Sequence, residues 1–284
     1  MNIDSHQHFW RYDPARYGWI DESMGPLKRD FLPEDLTSEL DANGIDASIA
    51  VQADQSEEET LFLLDLAERE RRIAGVVGWI DLASPRIEER LRFFSRYRKL
   101  CGFRHAVQSE PDDRFMLWPE FMRGISCLRE FEFAYDMLIY PKHLPAAIEL
   151  VGRFPGQRFV VDHLAKPEIK TKSISDWAAR IGSLARNPKV YCKLSGLVTE
   201  ADWRGWTPAD FDAYLDVVFE AFGVERLMFG SDWPVCLLAG SYEQVRSIVE
   251  DYVDRNAPGA REKIFGENAS RFYDLEAFAN GLAD

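Results

Sequence analysis

The sequence predicts a single-domain (β/α)8 barrel of the TIM type that spans residues 1–284. Eight short apolar runs have the composition of buried strands, and each is followed by a polar stretch and a helical pattern. Their starts lie roughly 25–45 residues apart, which suits parallel crossovers containing a helix, whereas a hairpin needs far less chain. A barrel of this type needs about 250 residues as one unit. A doubly wound open sheet is the alternative architecture.

The predicted strands are, in order, Asn2–His8, Ala47–Gln52, Ile73–Ile80, Gly102–His105, Phe133–Ile139, Phe159–His163, Val190–Leu194 and Leu227–Asp232. Three helix starts carry capping signals: Ser56 with Glu59, Thr207-Pro208 with Asp210, and Ser241 with Gln244. The polar segment Trp10–Asp30 is predicted to be a long loop that covers the end of the first strand as a lid.

Composition excludes several function classes. The chain has 34 basic and 48 acidic residues and a net charge of -14, which argues against nucleic acid or an anionic membrane as a partner. The N-terminus has no signal-peptide pattern, and no apolar run has the roughly 18 residues that cross a bilayer. The cysteines form no C-x-x-C pair, so we expect free thiols and a cytoplasmic location. The oligomeric state is left open.

Polar side chains gather where the predicted strands end, which is where barrel enzymes carry their active sites. In chain order these residues are His6, His8, Gln52, Arg104, His105, Asp136 (within the fifth strand), His163 and Asp232. Four of the five histidines belong to this set. The fifth, His143, lies in a Tyr-Pro-Lys-His turn and is interpreted as incidental.

The sharpest local motif is His6-Gln7-His8. Side chains alternate along a strand, so both imidazoles can face the barrel interior and bind one ion or one substrate oxygen. An H-x-H motif alone is weak evidence. Its position in the first strand, together with His163 and Asp232 at the ends of later strands, makes it a candidate metal or substrate site.

The other candidates have two interpretations each. Asp232 follows an apolar run and Gly230, and is predicted to be a general base, with a helix cap as the alternative. Arg104 offers a rigid donor fork for a carboxylate or a polarised oxygen, or forms a surface salt bridge. His163 is a site residue or a satisfied core histidine.

Three further residues are assigned less specific roles. Asp136 could orient one of the nearby cations, and Lys193 is either a donor in the barrel mouth or a structural lysine. Asp162 is expected to point away from His163 and to cap a helix. Tryptophans near the ends of strands suit a ring-shaped substrate; they are Trp10, Trp19, Trp203, Trp206 and Trp233.

A family resemblance extends over the whole chain. The stretches that carry it are Asp4-Ser5-His6-Gln7-His8-Phe9-Trp10, Val51-Gln52-Ala53-Asp54, Gly102-Phe103-Arg104-His105, Val161-Asp162-His163-Leu164-Ala165-Lys166-Pro167, Lys193-Leu194-Ser195-Gly196, Phe229-Gly230-Ser231-Asp232-Trp233-Pro234 and Ile264-Phe265-Gly266-Glu267-Asn268-Ala269. Together they resemble the lactonase branch of the amidohydrolase superfamily, and most of all its L-fuconolactonase and L-rhamnonolactonase type.

The resemblance implies a barrel that hydrolyses lactones. His6, His8, His163 and Asp232 match metal-site positions of the family, whereas Gln52, Arg104 and His105 match positions that line the substrate pocket. Two-metal members carry a bridging carboxylated lysine after the fourth strand, where this chain has Arg104-His105. The resemblance therefore implies one divalent ion, zinc or manganese, or catalysis without a metal.

The predicted reaction is the opening of a sugar lactone to its acid. Asp232 takes a proton from water and returns it to the ring oxygen. The carbonyl is polarised either by a metal on His6, His8 and His163 or by these imidazoles and Arg104 directly, and His105 is counted among the catalytic residues. The predicted substrate contacts are Gln52, Trp10, Asp136 and Trp233. The chain has no G-x-S-x-G nucleophile elbow. The alternatives are a polycarboxylated lactone as substrate, a metal-dependent decarboxylase, and a non-enzymatic sugar-binding protein.

Overall fold

The computed structural model describes residues 1–275, which form one eight-stranded parallel sheet in sequence order. The strands are β1 (Ile3–Gln7), β2 (Ala47–Val51), β3 (Ile73–Gly78), β4 (Leu100–His105), β5 (Ala134–Met137), β6 (Phe159–Val161), β7 (Val190–Leu194) and β8 (Leu227–Phe229). All eight predicted strands are confirmed. The nine residues that complete the predicted domain, 276–284, lie outside the described part of the chain.

The sheet closes on itself, so the architecture is the predicted barrel and not the open sheet. Gln7 forms a parallel bridge with Trp233, just beyond β8. The backbone N–H of His8 donates to the Trp233 carbonyl at 2.7 Å, and the N–H of Asp232 donates to the His6 carbonyl at 2.8 Å. These bonds join the first and last strands of the sheet, β1 and β8, at the site that the sequence predicts.

Helices cover the outside of the barrel, and a final short helix follows. They are α1 (Pro33–Ala42), α2 (Glu57–Arg69), α3 (Ile87–Phe94), α4 (Pro119–Glu130), α5 (Leu144–Arg153), α6 (Ser175–Ala185), α7 (Ala209–Phe222), α8 (Tyr242–Asn256) and α9 (Asn268–Tyr273). Within residues 1–275 the longest and most apolar of these helices still falls short of what crossing a membrane requires.

The predicted capping signals mark real helix starts. Ser241 and Gln244 form a complete capping box on α8. Asp210, in the first turn of α7, accepts hydrogen bonds from both the backbone N–H and the hydroxyl of Thr207. The predicted box on α2 is only half formed, because Ser56 accepts from the Glu59 N–H while the Glu59 carboxylate turns elsewhere.

Several strands end earlier than predicted. His8, Gln52, His163 and Asp232 follow β1, β2, β6 and β8 instead of ending them. These four residues belong to the loops that follow the strands, where the backbone can leave the extended conformation. The Trp10–Asp30 segment also contains a short 3-10 helix, Glu22–Leu27, and an antiparallel bridge between Trp10 and Phe31 joins its two ends.

Candidate active site

A cavity of about 590 Å³ opens at the C-terminal ends of the strands. Five of the predicted site residues line it: His8, Gln52, Arg104, His163 and Asp232. His6 is fully buried directly behind them. The structure therefore brings together the predicted residues from β1, β2, β4, β6 and β8, although they are far apart in sequence.

His6, His8 and Asp232 form the centre of the site. The Nε2 atoms of the two histidines are 3.2 Å apart, and Asp232 Oδ1 lies 3.3 Å from His8 Nε2 and 3.8 Å from His6 Nε2. An irregularity in the pairing of β1 with β2 falls between Asp4 and Gln7, a stretch that contains His6.

His163 is placed by an unusual backbone. Four consecutive residues, from His163 to Lys166, have φ between 50° and 59°, in the left-handed region. His163 Nε2 lies 3.9 Å from Asp232 Oδ1, and Nδ1 is hydrogen-bonded to the Ser195 hydroxyl at 2.8 Å. The regular alternation of side chains along β6 ends before this turn. Strand alternation therefore does not predict where the His163 side chain points.

Asp4, which the sequence analysis did not single out, fixes the loop that carries Asp232. Its carboxylate accepts hydrogen bonds from the Ser231 backbone and hydroxyl at 2.9 and 2.6 Å, and from the Tyr242 hydroxyl at 2.9 Å. Burial raises the pKa of Asp4 to about 6 despite these bonds. Its position two residues before His6 was the feature of the sequence that could have identified Asp4 as part of the site.

The protonation of the site follows from its burial. Burial lowers the pKa of His6 and of His8, and it lowers the pKa of His163 to about 4. Burial alone would raise the pKa of Asp232, but His163 and the hydrogen bond to His8 outweigh it and hold that pKa well below its usual range. At neutral pH the site therefore contains neutral imidazoles around an ionised carboxylate.

Arg104 enters the site from β4 and is held by fixed acceptors. Its guanidinium donates to the Gln52 carbonyl oxygen and to Asp162 at 3.1 Å, and it lies 3.2 Å from His6 Nε2. The predicted outward orientation of Asp162 is wrong: this carboxylate is fully buried beside Arg104. Asp162 faces inward because His163, its reference in the prediction, has left the strand.

Lys193 and Asp136 lie in the barrel interior beneath this cluster. Lys193 Nζ is 2.5 Å from Asp136 and 3.0 Å from Asp162, and all three side chains are fully buried. Asp136 also accepts a hydrogen bond from the Tyr273 hydroxyl at 2.7 Å. The structure thus places Asp136 behind the site, not among the groups that line the cavity.

The structure does not bring three other predicted residues to the cavity. His105 points to the opposite face of β4 from Arg104, where it contacts Glu110 at 2.7 Å and stacks on Phe115. Trp10 is buried and donates to the Arg29 carbonyl oxygen. Trp233 packs against Phe31. Adjacent residues of a strand point to opposite faces, so Arg104 and His105 could not both face inward.

The cavity wall includes further polar and aromatic residues. Lys166 and Glu200 lie 3.7 Å apart there, and burial raises the pKa of Glu200. Trp19 and Trp203 line the wall, as their positions near strand ends suggested. The remaining polar lining residues include Arg16, Asp54, Gln55, Gln108, Tyr140 and Thr199. They come from loops, whose course sequence periodicity does not predict.

The central cluster fits a divalent metal ion. Ligands about 2.0–2.2 Å from one ion lie roughly 3–4 Å from each other, and the His6, His8 and Asp232 atoms are 3.2 to 3.8 Å apart. Neutral imidazole nitrogens and a carboxylate are also suitable donors for such an ion. These three residues can therefore hold one metal.

The chain is similar over nearly its whole length to proteins of known family. An amidohydrolase family model matches residues 3–275. The chain is 46% identical to an L-fucono-1,5-lactonase from Burkholderia multivorans, over 97% of this chain and 96% of that protein. It is 37% identical to an L-fucono-1,5-lactonase from Burkholderia ambifaria, with the same coverage.

A solved crystal structure is also similar to this chain in sequence and in fold. The crystal structure of an amidohydrolase from Burkholderia multivorans with bound zinc superposes with a TM-score of 0.93 at 45% identity, covering 97% of this chain and 99% of that one. These likenesses identify a hydrolase that acts on the ester bond of a sugar lactone. With its barrel, its strand-end histidines and its full-length match, the chain belongs to the amidohydrolase family.

Proposed function

We propose that this enzyme hydrolyses L-fucono-1,5-lactone to the corresponding acid. The observation that carries the proposal is the convergence of ionised Asp232 and three neutral imidazoles at the end of a cavity with a polar and aromatic wall. The choice of lactone is supported by the names of the relatives at 46% and 37% identity.

Asp232 is the proposed base. Its carboxylate faces the cavity, so it can take a proton from a water molecule that attacks the lactone carbonyl. It then returns that proton to the ring oxygen as the carbon–oxygen bond breaks. General acid–base catalysis of this kind typically contributes about 10²–10⁴-fold to the rate.

The carbonyl oxygen gains negative charge during the attack and needs positive groups around it. Arg104 provides a fixed charge at the cavity, since Asp162 and the Gln52 carbonyl hold its guanidinium in place. His163 presents a neutral ring on the same side as Asp232. A divalent ion such as zinc or manganese, held by His6, His8 and Asp232, supplies a Lewis acid when bound.

The sugar ring is proposed to lie against the wall of the cavity. Gln52, Lys166 and Glu200 offer donors and acceptors for hydroxyl groups, and Trp19 and Trp203 offer flat faces for the ring. The volume of about 590 Å³ is within the range of ordinary small-molecule sites. A small polyhydroxylated lactone therefore matches both the size and the chemistry of the cavity.

The direct test is acid release from a panel of aldonolactones, followed with a pH indicator in the presence and absence of a chelator. We expect L-fucono-1,5-lactone to be the best substrate. The proposal would be contradicted if no sugar lactone released acid with metal supplied, or if the enzyme instead released CO2 from an aromatic acid. The chelator arm separates a metal-assisted reaction from one that the side chains support alone.

Replacing the base should abolish turnover without unfolding the protein. For Asp232→Asn we expect kcat to fall by about 10³-fold or more, because the amide cannot accept the proton from water. Asp65→Asn, at an exposed ion pair on α2, is the matched control and should retain full activity. Near-normal turnover by Asp232→Asn would remove Asp232 from the role of base.

A further inference from the structure

The side chain of His105 lies outside the cavity, where it closes the loop that follows β4. Its Nε2 contacts Glu110 Oε1 at 2.7 Å, and its Nδ1 lies 3.3 Å from the indole nitrogen of Trp79. A neutral imidazole has one N–H for the carboxylate and one lone pair for the indole N–H, so it can make both contacts at once. Burial lowers the pKa of His105, which favours this neutral form at neutral pH.

Aromatic packing holds the same ring from its sides. Phe115 stacks on His105 with ring centroids 4.9 Å apart and an interplanar angle of 20°. Phe121 meets the ring edge-on, with centroids 5.8 Å apart. A buried imidazole with two hydrogen-bonding neighbours and two aromatic neighbours has little freedom to move. His105 therefore gives Glu110 a fixed partner on β4.

The loop that His105 closes, residues 106–110, forms part of the cavity wall. Three of its residues line the cavity: Ala106, Gln108 and Ser109. The backbone N–H of Gln108 donates to the carbonyl oxygen of Leu138, just after β5, at 3.1 Å. The loop is thus held at its ends by His105 and in its middle by the neighbouring strand's loop.

The side chain of Gln108 offers an unused hydrogen-bond acceptor. Within residues 1–275, Gln108 Oε1 is buried and has no hydrogen-bond partner. Leaving a buried amide oxygen without a donor costs free energy. Sugar hydroxyl groups are donors, and the cavity that Gln108 lines also contains Arg104 and Asp232. A hydroxyl group of a bound sugar can therefore supply the missing hydrogen bond.

We propose that His105 is a positioning residue that acts through Glu110 to hold Gln108 at the cavity wall, where Gln108 binds a hydroxyl group of the lactone. The inference rests on the proposed function and adds a residue that helps to select the substrate. Other contacts hold Arg104 and the loop that carries Asp232. Loss of the His105 contact should therefore weaken substrate binding and leave the chemical step largely intact.

The first experiment is a kinetic double-mutant cycle with the wild type, His105→Phe, Gln108→Leu and the double variant. Phenylalanine keeps an aromatic ring at position 105 but has no group that donates or accepts. We expect each single variant to raise KM for L-fucono-1,5-lactone about tenfold, the scale of one hydrogen bond, with kcat largely unchanged. The double variant should be no worse than either single variant, because both changes remove the same contact.

Two outcomes of this cycle would overturn the inference. In the first, the two increases in KM multiply in the double variant to about a hundredfold, as independent effects do. In the second, kcat of His105→Phe falls while its KM stays at the wild-type value, which would place the role of His105 in the chemical step.

His105→Gln is the conservative variant, because its side-chain amide can still donate to Glu110. We expect it to bring KM back towards the wild-type value. If His105→Gln and His105→Phe have the same KM, the hydrogen bond to Glu110 does not position the loop.

Glu110→Ala breaks the same contact from the side of the loop and leaves the buried ring in place, so it tests the inference even if His105→Phe fails to fold. It should raise KM as His105→Phe does, and a wild-type KM would contradict the role of Glu110. Glu149→Ala is the matched control on α5, since Glu149 is also paired at 2.7 Å, with Arg153. It should leave both kcat and KM unchanged.

Hydrogen exchange of the ligand-free proteins separates this inference from the proposed function. Peptides that cover residues 106–110 should exchange faster in His105→Phe and Glu110→Ala than in the wild type, whereas peptides from β7 and β8 should not change. Unchanged exchange at 106–110 overturns the positioning role, whatever the substrate is. Failure of the wild type to hydrolyse any sugar lactone would instead overturn the proposed function.

Discussion

Individual residues in strained conformations shape the active site. The left-handed turn from His163 to Lys166 contains no glycine, and such a conformation costs roughly 1–2 kcal/mol per residue. Its neighbours must therefore hold it in place. One of them is Gly196, which has φ of +63° and lies directly against the His163 ring.

Gly196→Ala should displace His163. An added Cβ would lie 2.7 Å from His163 Cγ and Nδ1, and the residue's own backbone would also be strained. We expect kcat/KM for the lactone to fall by about 10²-fold, as small misplacements of catalytic groups often cause. The free energy of unfolding should fall by about 1–3 kcal/mol.

Gly182→Ala provides the comparison for this variant. Gly182 lies within α6, where an added Cβ meets open space. Alanine is favoured over glycine by about 0.5–1 kcal/mol inside a helix, so this change should stabilise the protein and leave activity intact. Equal behaviour of the two variants in urea unfolding and in turnover would contradict the role given to Gly196.

At the scale of elements, Glu59 links α2 to the loop after β2 and to the segment Trp10–Asp30. Its carboxylate accepts from the backbone N–H of Ala53 and Asp54 at 2.8 and 2.7 Å, and from the Tyr17 hydroxyl at 2.9 Å. This explains why the capping box predicted at Ser56 is incomplete. Glu59 uses its carboxylate to hold one wall of the cavity.

Glu59 should make stability depend on pH. Burial raises its pKa from 4.5 to about 7, so between these values the folded protein keeps a proton that the unfolded chain has lost. Stability from this group therefore decreases as pH rises through that window, by roughly 3 kcal/mol in total. Glu59→Gln cannot titrate and should lack this contribution.

The measurement is urea unfolding of the wild type and Glu59→Gln at several pH values between 5 and 8. Comparing the two proteins at each pH isolates Glu59, since the other buried acids and histidines titrate in both. We expect the wild type to lose stability relative to the variant as pH rises. Parallel curves would show that Glu59 ionises with an ordinary pKa.

At the scale of the whole molecule, the last described helix closes the bottom of the barrel. Phe272 and Tyr273 of α9 pack with apolar residues of the barrel interior. Phe272 also contacts the Tyr191 ring, with centroids 4.8 Å apart, and Tyr273 reaches Asp136. The fold therefore depends on contacts between the first strand and a helix more than 260 residues later.

Phe272→Ala should destabilise the whole barrel. Truncating a buried phenylalanine costs about 3–5 kcal/mol, because the space it leaves is refilled only in part. Leu61→Ala, at a half-exposed position of α2, should change the free energy of unfolding by less than about 1 kcal/mol. A similar shift of the urea midpoint for both variants would mean that α9 contributes little to the core.

The sequence by itself predicted the barrel, its eight strands and most of the site. Strand spacing and apolar runs report local chemistry, and the C-terminal ends of parallel strands must meet at one end of a barrel. Hence His6, His8, Gln52, Arg104, His163 and Asp232 could be placed together without coordinates.

Only the tertiary structure decided the contacts that do not follow from a regular repeat. The turn at His163 departs from strand geometry, so alternation gave Asp162 the wrong orientation and did not reveal its pairing with Arg104 and Lys193. Asp4 and Glu59 act through partners distant in sequence, or through backbone groups in loops. Such contacts are set by how the chain packs in three dimensions, whereas periodicity records only which face of one element is buried.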